Sequence, residues 1–233
     1  MMKQKSKRIR RGIILVLSMV MLLPAISGYA ATQKQKAMNA YKKWLGQSKV
    51  SVLKKGQEIA DYNGAYGGVE DKANYTPTKA SKTEFAIAYI DNDNIPELIV
   101  RTKDKRYYSV LTYRKGKVVR LKGTQEDGTY DTVKGYYKKT GVFFDVRTAD
   151  FGIDRRIYYK MNATKASDKL EIWINNKGSK PSKDYEYITS SGKTVSCNHS
   201  MFKEKLKNLT KGKKPTSIKY YKNTAKNRNK VLK

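Results

Sequence analysis

The sequence predicts an α+β fold: a twisted antiparallel sheet of seven to nine strands with an N-terminal and a C-terminal helix packed on it. Three observations predict it. Residues 84–187 run as short stretches rich in Tyr, Val, Ile, Phe and Thr, the residues that suit a pleated surface. The joints between these stretches are mostly two to seven residues long, whereas a parallel crossover needs about a dozen. On either side, Gln33–Gln47 and Ser200–Leu209 repeat apolar residues three and four apart, the period of a helix.

The first thirty residues are read apart from the fold. Lys3, Lys5, Lys7, Arg8, Arg10 and Arg11 precede an apolar run, Gly12–Ile26, and the small-residue stretch Ser27–Ala30 follows. That order is the order of a secretory signal peptide, residues 1–30, cut after Ala30. An uncleaved anchor is the other reading, but the run is short for a span of ~20 residues and Pro24 interrupts it. After cleavage no intact transmembrane segment remains. Residues 31–233 are then expected to form a single domain, secreted and loosely associated with the cell wall. Cys197 is the sole cysteine, which excludes a disulfide framework and suits export from a Gram-positive bacterium.

The mature chain opens with the helix Gln33–Gln47, whose Met38, Tyr41, Trp44 and Leu45 share one face. Val50–Lys82 is rich in Gly and Asn and reads as a long loop around one short strand or helix. Strands are expected at Phe85–Ile90, Glu97–Thr102, Arg106–Tyr113, Lys117–Leu121, Thr129–Lys138, Val142–Arg147, Arg155–Lys160, Lys169–Ile174 and Tyr185–Ile188. Arg114–Gly116 supplies a tight hairpin turn. Ser200 is placed to cap the second helix through Leu209, with Phe202, Leu206 and Leu209 as its buried stripe. Ser217–Tyr221 reads as a short strand, and Asn223 or Thr224 as the cap of a last helical turn. Four Tyr-Tyr pairs imply one ring of each in the core and one facing water.

The stretch around which the rest is organised is Phe85–Arg101, two apolar runs flanking Asp91, Asn92, Asp93, Asn94, Pro96 and Glu97. Acids two apart in a tight loop converge, which is how calcium loops gather oxygen ligands. Asn94 suits a left-handed backbone where glycine often stands. The two aspartates also suit a turn that hydrogen-bonds its own backbone. The segment AYIDNDNIPELIV resembles the Asp-x-Asp-Gly-Asp-Gly-Ile-Pro-Glu-Leu segment of exported Gram-positive proteins of mostly unassigned role. It is similar, too, to the calcium turn of integrin-like FG-GAP repeats. Tyr89 stands where those patterns have their first Asp, so the resemblance implies a metal site of Asp91, Asp93 and Glu97, with calcium as the ion.

Charge speaks to partners. The whole chain carries +30 and residues 31–233 carry +24, of which Lys193–Lys233 contributes +12. Such a charge attracts polyanions over a long range. Anionic envelope polymers and lipid headgroups fit an exported chain; nucleic acid fits the charge equally but not the export. His199, the single histidine, lies two residues after Cys197, too close in sequence for a nucleophile–base pair to face each other. Two such residues are also too few for zinc. No nucleophile elbow, phosphate loop or dinucleotide fingerprint occurs. The expectation is therefore a non-catalytic binding or surface-associated protein with a structural calcium site. The alternatives are a secreted enzyme acting on wall polymer or peptide through the acidic turn, and a toxin or antimicrobial factor acting on anionic membranes through the basic end. Oligomeric state has no signal here.

Overall fold

A computed structural model describes residues 32–61, 71–123, 130–148, 153–162, 164–175 and 182–233. The expected signal peptide lies outside the described residues, among which no helix is long and apolar enough to cross a membrane.

Helix α1 occupies residues 32–45. Its stripe of Ala37, Met38, Tyr41 and Leu45 is buried, as the spacing predicts. Gly46 closes it, donating its N–H to the carbonyls of Lys42 and Lys43. The segment expected to be a long loop holds four short strands instead: β1 (Lys49–Val50), β2 (Glu58–Asp61), β3 (Asp71–Asn74) and β4 (Thr78–Lys79). They pair as β1 with β4 and β2 with β3. Two- and four-residue strands carry too little periodicity to read.

A meander follows: β5 (Thr83–Ala88), β6 (Glu97–Thr102), β7 (Tyr108–Arg114) and β8 (Lys117–Gly123). Its last hairpin turns on Lys115 at φ 47° and Gly116 at φ 77°, the backbone that a two-residue hairpin loop requires. A second meander comprises β9 (Tyr130–Tyr137), β10 (Val142–Thr148), β11 (Ile153–Met161), β12 (Ala166–Asn175), β13 (Ser182–Ile188) and β14 (Thr194–Cys197). Then come α2 (His199–Thr210), β15 (Thr216–Ser217), β16 (Tyr221–Lys222) and α3 (Ala225–Val231). All pairings are antiparallel, and neither sheet closes on itself. One is five-stranded, ordered β16-β5-β6-β7-β8; the other is seven-stranded, ordered β14-β13-β12-β11-β10-β9-β15.

The α+β class and the antiparallel pairing match expectation. The strands divide between two sheets, however, where the sequence suggested one. The layers are helix, sheet, sheet, helix. Between the sheets lie Ala86, Ala88, Ile90, Ile99, Tyr108 and Val110 from one side, with Val133, Phe143, Ile157 and Tyr159 from the other. The outer face of the five-stranded sheet packs Phe85, Leu98 and Val100 on α1 and on Leu232 beyond α3. The outer face of the seven-stranded sheet packs Tyr137, Val142, Tyr158 and Leu170 on Phe202 of α2. Covering on both faces corrects the tyrosine expectation for two of the four pairs: Tyr136, Tyr137, Tyr158 and Tyr159 are all buried, the last at 0% exposure, whereas Tyr108 is buried beside a half-buried Tyr107.

Two local readings change. Helix α2 is capped by Asn198, whose side-chain oxygen accepts from the Met201 N–H, and not by Ser200. Ser217–Tyr221 is not one strand. Its ends pair with different sheets, Thr216–Ser217 with β9 and Tyr221–Lys222 with β5. Thr224 caps α3 by accepting from the Asn227 N–H, while Asn223 is buried and donates to the Leu45 carbonyl and the Thr83 hydroxyl.

Candidate metal centre at the acidic turn

The turn between β5 and β6 hangs from Ile90, which is fully buried between the sheets. Past it the chain reverses through two side-chain-to-backbone turns. The Asp93 N–H donates to Oδ1 of Asp91 at 3.1 Å, and the Ile95 N–H donates to Oδ1 of Asp93 at 2.8 Å. Asn94 takes φ 63°, the left-handed backbone its residue type suggested. The Tyr41 hydroxyl donates to the Pro96 carbonyl at 2.9 Å and pins the turn to α1.

Each aspartate spends one oxygen on the turn and keeps the other. These second oxygens face Arg114, whose Nη2 stands 3.7 Å from Asp91 Oδ2 and 3.9 Å from Asp93 Oδ2. Behind them, Glu97 opens β6 across the ladder from Ala88, whose small side chain leaves it room. Glu97 is fully buried. Its Oε2 accepts the Ile90 N–H at 2.9 Å, and its Oε1 has no partner among the described residues. A buried carboxylate oxygen without a partner costs desolvation that something must offset. One carboxylate oxygen from each of Asp91, Asp93 and Glu97 lies within 4.8 Å of the others.

The electrostatics of this group are unbalanced: three acids meet, and Arg114 stands at ion-pair distance from two of them. Burial, and after it the charge of Asp91, holds the Glu97 carboxyl well above the ordinary range. Asp93 keeps 34% of its side chain exposed, yet it is pushed up to about 6. The protein packed over the rest of it is the first cause and its hydrogen bond with Asp91 the second; Arg114 pulls the other way.

The donor set fits a hard divalent cation. All three donors are oxygens, which suits calcium or magnesium and not soft metals. Calcium sits ~2.3–2.6 Å from its ligands, so oxygens across it stand roughly 4.6–5.2 Å apart. Magnesium, at ~2.0–2.1 Å, draws its ligands closer. The sequence-predicted residues Asp91, Asp93 and Glu97 are therefore brought together. The pattern's missing first ligand is not replaced at Tyr89, whose carbonyl accepts the Lys139 N–H at 3.1 Å and whose ring lies under Lys34. Both aspartates are bound into backbone turns through Oδ1.

Sequence reasoning missed Arg114 and Tyr41. Nothing local marks either one: Arg114 ends β7 and reaches the turn only because the sheet brings the two hairpin ends of β5–β6 and β7–β8 together. The other pair considered, Cys197 and His199, ends β14 and begins α2. The His199 ring stacks on Tyr185 at 5.0 Å and 19°, and burial pushes the Cys197 thiol up, away from a reactive thiolate.

No protein-family model matches the chain, and no curated protein sequence matches it. A solved chain described as "Structure of a Xanthomonas Type IV Secretion System related protein" is similar over 48% of this chain at 12% identity, with a TM-score of 0.37. The match spans 57% of that chain's length.

Proposed function

We propose that this is an exported, non-catalytic protein of the bacterial envelope, with a calcium ion at Asp91, Asp93 and Glu97 as a staple between β5 and β6. Its positive charge retains it on anionic polymers of the wall. The observation that carries the metal reading is Glu97: its Oε1 is buried and without a partner among the described residues, and one of its carboxylate oxygens lies within 4.8 Å of an oxygen of each of two further carboxylates. A divalent cation supplies that oxygen with a partner and neutralises the excess charge. The resemblance of the turn to calcium turns supports the choice of ion. The basic N-terminal start, the apolar run behind it and the +24 of residues 31–233 support the envelope.

The test is thermal unfolding after chelation, titrated with calcium from micromolar to millimolar and with magnesium as control. Calcium is expected to raise the melting temperature more than magnesium at equal concentration. A flat response removes the metal reading. Retention on isolated cell walls that weakens with salt is the expected sign of the envelope role, and no retention at low salt overturns it.

A further inference from the structure

Beside the acidic turn lies an open groove of about 1060 Å³. Segments far apart in sequence build it: the start of α1 at Gln33, the turn at Asp93 and Ile95, the β7–β8 hairpin at Tyr113–Lys117, and Thr164 between β11 and β12. Its wall is apolar at Ile95, Tyr113 and Val119, and its rim is cationic at Arg114, Lys115 and Lys117. Asp93 belongs to both the groove and the carboxylate group, so an ion held there stands at the groove's end.

Arg114 is the hinge of the argument. It is the cation facing Asp91 and Asp93, at ion-pair distances too long for hydrogen bonds, and its buried Nε has no partner among the described residues. Its guanidinium is thus drawn to the carboxylates without being satisfied by them. A divalent cation between the same carboxylates takes over as their countercharge, and Arg114 is then free to serve an anion in the groove. Arginine presents a planar fork matched to phosphate, and two lysines beside it add point charge.

We propose that the groove is a phosphate site switched by the metal: calcium at Asp91, Asp93 and Glu97 releases Arg114 to bind, with Lys115 and Lys117, a phosphate of a soluble phosphodiester polymer. The inference rests on the metal reading above. A polymer fits better than a bilayer, because Met201 is the one large apolar side chain strongly exposed among the described residues, and it lies on α2, an element that does not line the groove. By linkage, the polymer tightens calcium binding by the same factor.

The experiment measures binding of a soluble poly(glycerol phosphate) chain to the full mature protein, in calcium and in chelator, with melting temperature recorded on the same samples. At least a tenfold gain in affinity in calcium is expected. Arg114→Gln should lose that gain while keeping the calcium-induced rise in melting temperature. Lys115→Gln/Lys117→Gln should weaken binding several-fold under both conditions. Lys203→Gln/Lys207→Gln, on exposed α2 positions, removes equal charge and should weaken it much less. Asp93→Asn should remove the calcium gain, which shows that calcium acts through the protein and not on the polymer. Equal affinity with and without calcium in a protein that calcium stabilises overturns the switch. Equal losses in the two lysine pairs overturn the groove and leave attraction by net charge. No thermal response to calcium sinks the metal reading itself.

Discussion

The main-chain N–H of Ile90 donates to Oε2 of Glu97 across 2.9 Å of buried interior, between the last residue of one apolar run and the first residue of the next strand. This bond makes Glu97 both a brace of the turn and an electrostatic burden. The two roles separate by substitution. Glu97→Gln keeps an acceptor for Ile90 and removes the buried charge, so the chelated protein should hold or gain stability. Its calcium affinity should fall at least tenfold. Glu97→Ala strands the Ile90 N–H and opens a cavity, at a cost of roughly 2–4 kcal/mol. Chemical denaturation in chelator and in calcium measures both.

Calcium itself should act by mass action. An affinity of ~10⁻⁴ M, within the extracellular range, gives about 2.7 kcal/mol at a hundredfold excess of ion. For a domain of this size that is roughly 5–10 °C of melting temperature. Scanning calorimetry against calcium concentration reads it directly.

Without metal, acid should stabilise the turn. The Asp93 carboxyl is pushed up to about 6 and Glu97 is also raised, so both bind protons more tightly in the folded chain. A free aspartate titrates at ~3.9. The penalty for ionising Asp93 is thus absent below about pH 4, grows through pH 4–6, and is complete above about pH 6. Metal-free protein should lose stability between about pH 4 and 6, and Asp93→Asn/Glu97→Gln should lose less. An identical pH dependence in the two proteins would contradict this.

Asn223 should be worth more than a surface asparagine. Its Nδ2 donates to the Leu45 carbonyl at 3.0 Å and to Thr83 Oγ1 at 3.1 Å, and its Oδ1 accepts from Arg228 at 2.7 Å. Asn223→Ala leaves three groups short in a buried place and should cost roughly 2–3 kcal/mol. Asn223→Asp keeps the acceptor for Arg228 but turns a carboxylate toward the Leu45 carbonyl, and should be no better. Urea unfolding compares the two.

Gly135 sits at the irregularity between β9 and β10, opposite Phe144. A Cβ there would meet the Phe144 ring at 2.6 and 2.7 Å and the Thr216 carbonyl at 3.1 Å. Gly135→Ala should cost roughly 1–3 kcal/mol through overpacking. Adding Phe144→Leu should recover part of the loss in the same unfolding assay.

How much of this was legible depends on the range of each signal. Period-2 runs located the nine main strands to within a few residues, and the three-four spacing of Met38, Tyr41 and Leu45 marked the buried face of α1. The spacing of Asp91, Asp93 and Glu97 marked the carboxylates that converge. Alternation says that a face is buried and does not say against what, so the division into two sheets was not visible. The pairs Tyr136-Tyr137 and Tyr158-Tyr159 carried the missing hint, since neighbours that are both large and aromatic suit a strand covered on both faces. Arg114 carried no hint at all. Its meeting with the acidic turn depends on β6 lying between β5 and β7, a property of topology.

The segment from Thr216 to Lys222 fastens one sheet at its first residues and the other at its last. It thereby sets the timing of folding. Tyr221 must find Phe85, and Leu232 must find α1, across more than half of the chain. Contacts of such separation form slowly, because the intervening loop must close before they contribute. In a chain made from its N-terminus, the latch is synthesised after the strands it joins. Until it arrives, β5 and β9 each present an unpaired edge at which intermediates can associate.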